Sequence, residues 1–197
     1  MRKLLLIAFL GMLCLGLGGA RSCATGDDND SSGGDAGDDD SGGCDDDASG
    51  DTWTDSSSGL TWQVNPSCDY MTWEAAKAYC DNWSLDGHDD WRLPTISELR
   101  SLIRGCDFTV TGGACNITDD CLDSTCWNYP GCNGCDPLAG PGSGGAYWPP
   151  EMSGKIGCDW SSSPLPDSDV DYAWRVCFEE GGVDSGGFTD NLARCVR

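Results

Sequence analysis

Apolar and polar residues alternate over residues 59–64 and again over 172–178, which predicts two strands. One face of each strand would be apolar: Leu60, Trp62 and Val64 in the first, and Tyr172, Trp174, Val176 and Phe178 in the second. A glycine-containing turn at 180–182 and a third alternating run at 192–196 follow. We therefore expect residues 192–196 to return antiparallel to the second strand.

Two stretches of the chain have the spacing of amphipathic helices. The first begins with Thr72 as N-cap and Glu74 in the first turn, where a carboxylate is favourable at the positive end of the helix dipole. The second begins after Trp91–Pro94, where Thr95 and Glu98 have the T-x-x-E spacing of a capping box. The apolar faces would be Trp73, Ala76, Cys80 and Trp83 in the first helix, and Ile96, Leu99, Leu102 and Ile103 in the second.

A cysteine-rich segment at about 106–135 has no hydrophobic periodicity, which predicts an irregular loop held by its own disulfides. Its cysteines are Cys106, Cys115, Cys121, Cys126, Cys132 and Cys135. The C-x-x-C spacing of the last two would also suit zinc, but an exported chain with no histidine nearby favours disulfides. The spacing leaves the pairing within the loop open.

The N-terminus has the pattern of a signal peptide of the lipoprotein type over residues 1–22. Its apolar run at 4–17 is short for a membrane span, and small residues follow it. Of the 14 cysteines one, Cys14, would leave with the signal, so an odd number would remain in an exported protein. If Cys23 is acylated, an even number of cysteines remains to form disulfides. Ordinary cleavage after Ala20 is the alternative, because an arginine such as Arg21 is unusual among the residues that precede a lipidated cysteine.

Composition changes abruptly at residue 52. Residues 23–51 are rich in Asp, Gly and Ser and contain no large apolar side chain, which predicts a disordered spacer rather than a calcium-binding segment. All 9 Trp lie at or after Trp53, so residues 52–197 form the folded domain. Its length is ample for one hydrophobic core, which the disulfides would reinforce.

Charge narrows the range of partners. The chain has a formal net charge of −22, and the 52–197 domain alone carries 22 acidic and 8 basic side chains. Because no basic stripe is present to neutralise phosphates, we expect no nucleic-acid partner. The same acidity opposes direct binding to an anionic membrane, so the membrane would be reached only through the lipid anchor.

Three blocks of sequence share a pattern: DSSSGLTWQ at 55–63, TWEAAKAYCDNWSLDGHDDWRLPTISEL at 72–99, and the closing segment 159–197, which contains W-S-S and ends R-C-V-R. Together they resemble the Lcl C-terminal domain family, a bacterial domain of unknown function. The resemblance implies an α+β, C-type-lectin-like fold, in which two helices accompany a small irregular antiparallel sheet. Such a fold here would be disulfide-rich with long loops, and the cysteine-rich segment, which does not match, would be an insertion.

The lectin-like resemblance also implies disulfide pairs. The bond from the first helix to the last strand would join Cys80 to Cys195, and the same analogy pairs Cys158 with Cys177. If the loop cysteines pair among themselves, Cys44 remains for Cys68, which agrees with acylation of the cysteine at position 23.

Aromatic residues in and after the cysteine-rich segment are the candidate ligand-binding groups: Trp127, Tyr129, Tyr147 and Trp148. Exposed aromatics there would stack on sugar rings. Alternatively they pack in a small core of the loop itself, and the sequence leaves both interpretations open.

Calcium is the one cofactor to consider, because C-type lectins that bind sugar through calcium carry an E-P-N or Q-P-D tripeptide. Leu165-Pro166-Asp167 resembles Q-P-D but lacks the amide ligand. Asp167, Asp169 and Asp171 are therefore weak metal candidates, and we expect no cofactor.

The expected function is that of an exported, lipid-anchored bacterial envelope protein, either an outer-membrane lipoprotein or secreted. Its lectin-like domain would bind an extracellular glycan or a surface protein. A structural envelope protein without a sugar site is the alternative. An enzyme is not expected: no nucleophile motif accompanies His88, the one histidine. The formylglycine-generating oxidases share the lectin-like fold, but their reactive cysteine and copper chemistry have no counterpart here.

Overall fold

The computed structural model describes residues 52–168, 172–187 and 189–197, which form two helices and two antiparallel sheets. In chain order the elements are β1 (Thr52–Thr54), β2 (Thr61–Gln63), α1 (Trp73–Asp81), α2 (Ile96–Arg100), β3 (Cys158–Pro164), β4 (Ala173–Cys177) and β5 (Gly182–Gly186). The predicted disulfide-rich α+β class is confirmed, and its lectin-like character stays a prediction. The predictions for the signal, the lipidated Cys23 and the spacer lie outside the described residues.

Both helices begin directly after the N-cap residues that the sequence predicted. The Thr72 side chain accepts a hydrogen bond from the N–H of Ala75 at the start of α1. At the start of α2, Thr95 and Glu98 make both bonds of the capping box. The α2 helix ends at Arg100, so Leu102 and Ile103 lie beyond it, although both side chains are buried. The apolar spacing therefore marked buried positions correctly beyond the point where helical hydrogen bonding stops.

The larger sheet has the order β3-β4-β5, with β4 in the centre. Trp174 and Val176 of β4 are buried, as the alternation predicted. The prediction of the return strand is wrong, because β5 pairs with β4 in place of residues 192–196. The chain reverses within the short turn between β4 and β5, so the segment directly after that turn completes the hairpin.

The segment 192–196 lies elsewhere in the fold. Val196 bridges both Trp62 of β2 and Arg92, and Leu192 bridges Asp159 of β3. Its side chains are buried without a strand of its own. The alternation thus marked a buried segment, but all of its residues are buried rather than one face, and it did not identify the strands that the segment contacts.

The core has two parts. The larger part packs α2 and the large sheet against the cysteine-rich segment and contains Trp62, Ile96, Leu99, Ile117, Trp148, Trp174 and Phe178. The smaller part lies under α1 and contains Ala76, Cys80, Trp91, Trp160 and Cys195. The residues after the R-L-P motif therefore contact the loop, while α1 contacts the end of the chain.

Five disulfides occur among the described residues. Two have the pairing that the lectin-like resemblance implied, Cys80–Cys195 and Cys158–Cys177. The six loop cysteines pair among themselves as Cys106–Cys135, Cys115–Cys132 and Cys121–Cys126. The predicted partner of Cys68, Cys44, lies outside the part of the chain that the structure describes.

A buried guanidinium organises the first half of the cysteine-rich segment. Arg100 at the end of α2 is 2% exposed and donates hydrogen bonds to the backbone carbonyls of Thr109, Val110, Cys115 and Ile117. Burial lowers the pKa of Arg100. Since backbone carbonyls that lack donors are costly to bury, one side chain holds the loop to the helix.

A second buried arginine joins three parts of the domain. Arg194 and Asp159 of β3 are both fully buried, and Arg194 Nε donates to Asp159 Oδ2 at 3.0 Å. Arg194 Nη1 also donates to the carbonyls of Gln63 and Val64, at the end of β2. Burial raises the pKa of Asp159 and lowers the pKa of Arg194, and in each case the partner's charge opposes the shift.

We predict that Asp159→Asn strongly destabilises the domain, because it leaves the guanidinium of Arg194 buried without its counter-charge. The expected loss is about 3–5 kcal/mol of unfolding free energy, measured by urea denaturation. The matched control is Glu74→Gln, which removes an exposed pair with Lys77 and should change stability very little. Equal losses in the two variants would contradict the structural role of the buried pair.

The disulfides should differ in their contributions according to the length of chain that each one closes. Cys80–Cys195 spans 115 residues and Cys121–Cys126 spans 5. Replacing both cysteines of the long bridge by alanine should cost about 4–5 kcal/mol, and of the short one about 2 kcal/mol. Urea midpoints of the two double variants test this order, and the reverse order would show that loop closure is not the dominant effect.

Candidate functional site

A cavity of about 220 Å³ lies between the cysteine-rich segment and β5. We call it the Trp127 cavity, and its lining residues are Trp127, Cys132, Asn133, Glu180, Gly182, Val183 and Asp184. One aromatic ring, one carboxamide and two carboxylates thus meet on a concave surface. This combination of one apolar surface and a few polar groups is typical of small-molecule sites.

Backbone hydrogen bonds fasten the two walls of the Trp127 cavity together. The N–H of Val183 donates to the carbonyl of Cys132 at 2.9 Å, and the N–H of Cys135 donates to the carbonyl of Glu180 at 2.7 Å. Gly134 has φ of +89°, and a Cβ there would lie 2.7 Å from the carbonyl oxygen of Glu180. The close approach of loop and turn therefore requires glycine at this position.

The indole of Trp127 is held in one orientation. Its Nε1 donates to the carbonyl of Val183 at 2.8 Å, and the half-buried ring packs against the larger core. Because the protein uses the polar N–H itself, the ring offers a ligand only its carbon surface. Such a surface can stack on another ring or attract a cation, but it cannot donate a hydrogen bond.

The carboxylates give the cavity a negative potential. Glu180 is half-buried, and burial raises its pKa, with a further rise from the neighbouring Glu179 and Asp184. Asp184 accepts a hydrogen bond from Arg175 Nη2 at 2.9 Å. Arg175 Nη1 donates to Thr189 and Asn191, so both terminal nitrogens of that guanidinium have acceptors within the protein.

Only one of the four predicted aromatic ligand residues lines this cavity. Tyr129 is 73% exposed but is not part of the lining. Of the two interpretations left open for Tyr147 and Trp148, the structure favours packing in the core over contact with a ligand, because they are 2% and 0% exposed. The N–H of Tyr147 donates to the carbonyl of Phe178, which draws this segment alongside the end of β4 and into the core.

The polar atoms of those two core aromatics bond within the protein. The hydroxyl of Tyr147 donates to the carbonyl of Asp136, and Trp148 Nε1 donates to Ser143 Oγ. The guanidinium of Arg194 lies 4.9 Å from the centroid of the Trp148 ring. Trp148 is therefore part of the surroundings of the buried ion pair.

Asp167, a weak metal candidate, has a partner of its own. Its carboxylate accepts hydrogen bonds from the N–H and the hydroxyl of Ser124, which lower the pKa of Asp167. The contact ties the turn after β3 to the cysteine-rich segment. Asp169 and Asp171 lie outside the described residues. Within residues 52–168, 172–187 and 189–197, no group of three or more His, Cys, Asp or Glu is placed to hold a metal ion.

The D-W-R-L-P block serves packing rather than a site. Arg92 donates two hydrogen bonds to Glu98, at 2.7 and 2.6 Å, so the motif is bonded to the first turn of α2. Trp91 is buried, and its ring meets that of Trp83 edge to face at 4.7 Å. His88 is exposed in the preceding turn, with Nδ1 4.0 Å from Asp90 Oδ1.

A second cavity of about 250 Å³ lies beside Arg100. Its lining is mostly small and polar, and includes Ser97, Thr111, Asn116 and Thr118. The guanidinium of Arg100 is directed to the carbonyls of the loop, so it cannot serve as a free charge in this cavity. No aromatic ring lines this cavity, which therefore has less to offer a ligand than the Trp127 cavity.

The comparisons with known proteins place the domain in a family. No curated protein and no solved structure matches the chain significantly. Among the described residues, no helix is both long and apolar enough to cross a membrane. The profile of the Lcl C-terminal domain matches residues 51–197, a range that includes the cysteine-rich segment. This match covers well over half of the chain and agrees with the three sequence blocks, so the chain belongs to the Lcl C-terminal domain family.

Proposed function

We propose that this protein is an exported binding protein of the bacterial envelope, and that its Trp127 cavity binds an extracellular glycan. The observation that carries the proposal is a concave site that combines an immobilised indole with two carboxylates and a carboxamide. The protein would act as a receptor or adhesin rather than as an enzyme.

The chemistry of the cavity suits a sugar. A pyranose ring has an apolar C–H surface that stacks on an aromatic ring, and hydroxyl groups that donate hydrogen bonds. Trp127 offers the carbon surface of its ring, while Glu180, Asp184 and Asn133 offer acceptors. The volume of about 220 Å³ is small for a ligand pocket, which suits recognition of one part of a longer sugar chain.

The cavity is pre-organised, which favours binding. Cys115–Cys132 anchors one lining residue, and Cys106–Cys135 anchors the segment directly after Asn133. Because the loop is already ordered by these bridges and by Arg100, binding would not have to immobilise it. The entropic cost of association is then smaller than for a free loop.

Export and tethering are supported by the disulfides and by the N-terminal sequence. Five disulfides are typical of an oxidising compartment such as the periplasm or the cell surface. A signal over residues 1–22, acylation of Cys23 and an acidic spacer over 23–51 would hold the domain away from the outer membrane. Without acylation the same chain would be secreted.

A surface protein is the second candidate partner. Three exposed apolar side chains in and just after the cysteine-rich segment favour a protein partner: Phe108, Tyr129 and Leu138. Exposed apolar groups of this kind are common at protein interfaces.

The proposal predicts that Trp127→Ala weakens glycan binding while Tyr129→Ala retains it. The processed full-length chain and both variants are screened on an array of neutral, basic and sulfated glycans, with calcium and with a chelator. We expect binding that is independent of calcium and at least about tenfold weaker in Trp127→Ala, because one stacked aromatic contributes on the order of 1 kcal/mol or more.

Circular dichroism of both variants checks that the fold is retained. Loss of binding in Tyr129→Ala alone would move the site to the exposed apolar side chains. Absence of binding to every glycan would refute the glycan proposal and favour a protein partner, to be identified by cross-linking in intact cells.

A further inference from the structure

The Glu180 side chain and the carbonyl of Asn133 both approach Gly182 closely. A Cβ at Gly182 would lie 3.3 Å from Glu180 Oε1 and 3.2 Å from the carbonyl of Asn133. A larger residue at this position would therefore crowd the acid and the loop. Gly182, Glu180 and Trp127 all line the same cavity.

The basic side chain near the Glu180 carboxylate, that of Arg175, bonds to other residues. No salt bridge of Glu180 occurs in the described ranges, where the nearby Arg175 is instead paired with Asp184. Arg175 also donates hydrogen bonds to Thr189 and Asn191. Glu180 is thus half-buried without an ion pair of its own among the described residues, and the positive charge of Arg175 only partly opposes the rise of its pKa.

A ligand with a positive charge would interact favourably with both the Glu180 carboxylate and the Trp127 ring. An ammonium group accepts no hydrogen bond and donates three, which suits Glu180 and the neighbouring carbonyl of Asn133. The carbon surface of Trp127 attracts cations through its ring quadrupole. A neutral hydroxyl would gain much less from either group, and a sulfate would be repelled by both carboxylates.

We infer that the Trp127 cavity selects a sugar that carries a free amino group, with the ammonium placed between the Glu180 carboxylate and the indole of Trp127. This inference rests on the proposed glycan binding and adds the class of sugar. The cavity then discriminates among glycans by charge: it favours unacetylated hexosamines over N-acetylated ones and excludes sulfated chains.

The test is a calorimetric titration of the full chain with three oligosaccharides of equal length. They are a β-1,4-linked glucosamine tetramer, its N-acetylated counterpart and a sulfated tetramer. We expect the glucosamine tetramer to bind at least about tenfold more tightly than the acetylated one, in line with a charge-assisted contact. The sulfated tetramer should not bind measurably.

Glu180→Gln should bring the affinities for the amine and the acetylated sugar within about twofold of each other, since it removes the charge and keeps the shape. Glu179→Gln is the matched control, because Glu179 is exposed, adjacent in sequence and not part of the lining. Glu179→Gln also removes one negative charge, but from the surface, and should keep the preference for the free-amine sugar. Equal loss in both variants would mean that overall charge attracts the amine, which would overturn the inference.

The pH dependence gives a second readout. Since the pKa of Glu180 is raised, its charge is lost as the pH falls through a value above that of an ordinary glutamate. Binding of the glucosamine tetramer should weaken over that range in the wild type and not in Glu180→Gln. Binding that is equally insensitive to pH in both proteins would contradict a contact between the ammonium and Glu180.

The outcomes separate this inference from the proposed function. If acetylated and free-amine tetramers bind equally and Trp127→Ala loses both, glycan binding stands and the amino-sugar preference is overturned. If no saccharide binds the wild type, the proposed function fails and the preference fails with it. If the glucosamine tetramer binds Trp127→Ala as tightly as the wild type, the attraction is to the acidic surface and not to the cavity.

Discussion

The ion pair between Arg194 and Asp159 is the constraint on which the rest of the domain depends. Both side chains are fully buried, and the guanidinium also bonds the carbonyls at the end of β2. One arginine thus joins the last segment of the chain to β3 and to the first sheet. The adjacent Cys80–Cys195 disulfide joins the same segment to α1. Since a buried charge tolerates only an arrangement that neutralises it, the pair favours one packing of these elements.

The Trp127 cavity depends on this framework indirectly, through the large sheet. The large sheet, positioned through β3, presents β5 to the cysteine-rich segment, and backbone bonds from Val183 and Cys135 close the contact. Arg100 fixes the first half of the cysteine-rich segment, and Arg194 fixes the C-terminal segment. In each case a buried guanidinium donates hydrogen bonds to several backbone carbonyls. Arg100 and the three loop disulfides therefore stabilise a loop that has little regular secondary structure. Because sites on loops are in general less precise than sites on helices or strands, the order of this cavity depends on these bonds.

Local interactions could be predicted well. The caps at Thr72 and Thr95 need only residues within one helical turn, so the spacing located both helix starts. Predictions that depended on distant partners were less complete. The aromatic residues before Pro149 look the same in sequence whether they face solvent or core, and Trp148 proved to pack beside Arg194. The Trp127 cavity has no sequence motif, because its carboxylates follow β4 and its indole lies more than 50 residues earlier.

The sequence by itself determined the class of fold, the helix starts, the buried faces and the family, because each depends on short-range spacing or on blocks of matching residues. Only the tertiary structure decided which loop cysteines pair, that β5 rather than 192–196 completes the hairpin, and which aromatic ring borders a cavity. These outcomes depend on contacts between residues far apart in the chain. The periodicity of a segment records whether its side chains are buried but carries no information about the identity of their partners.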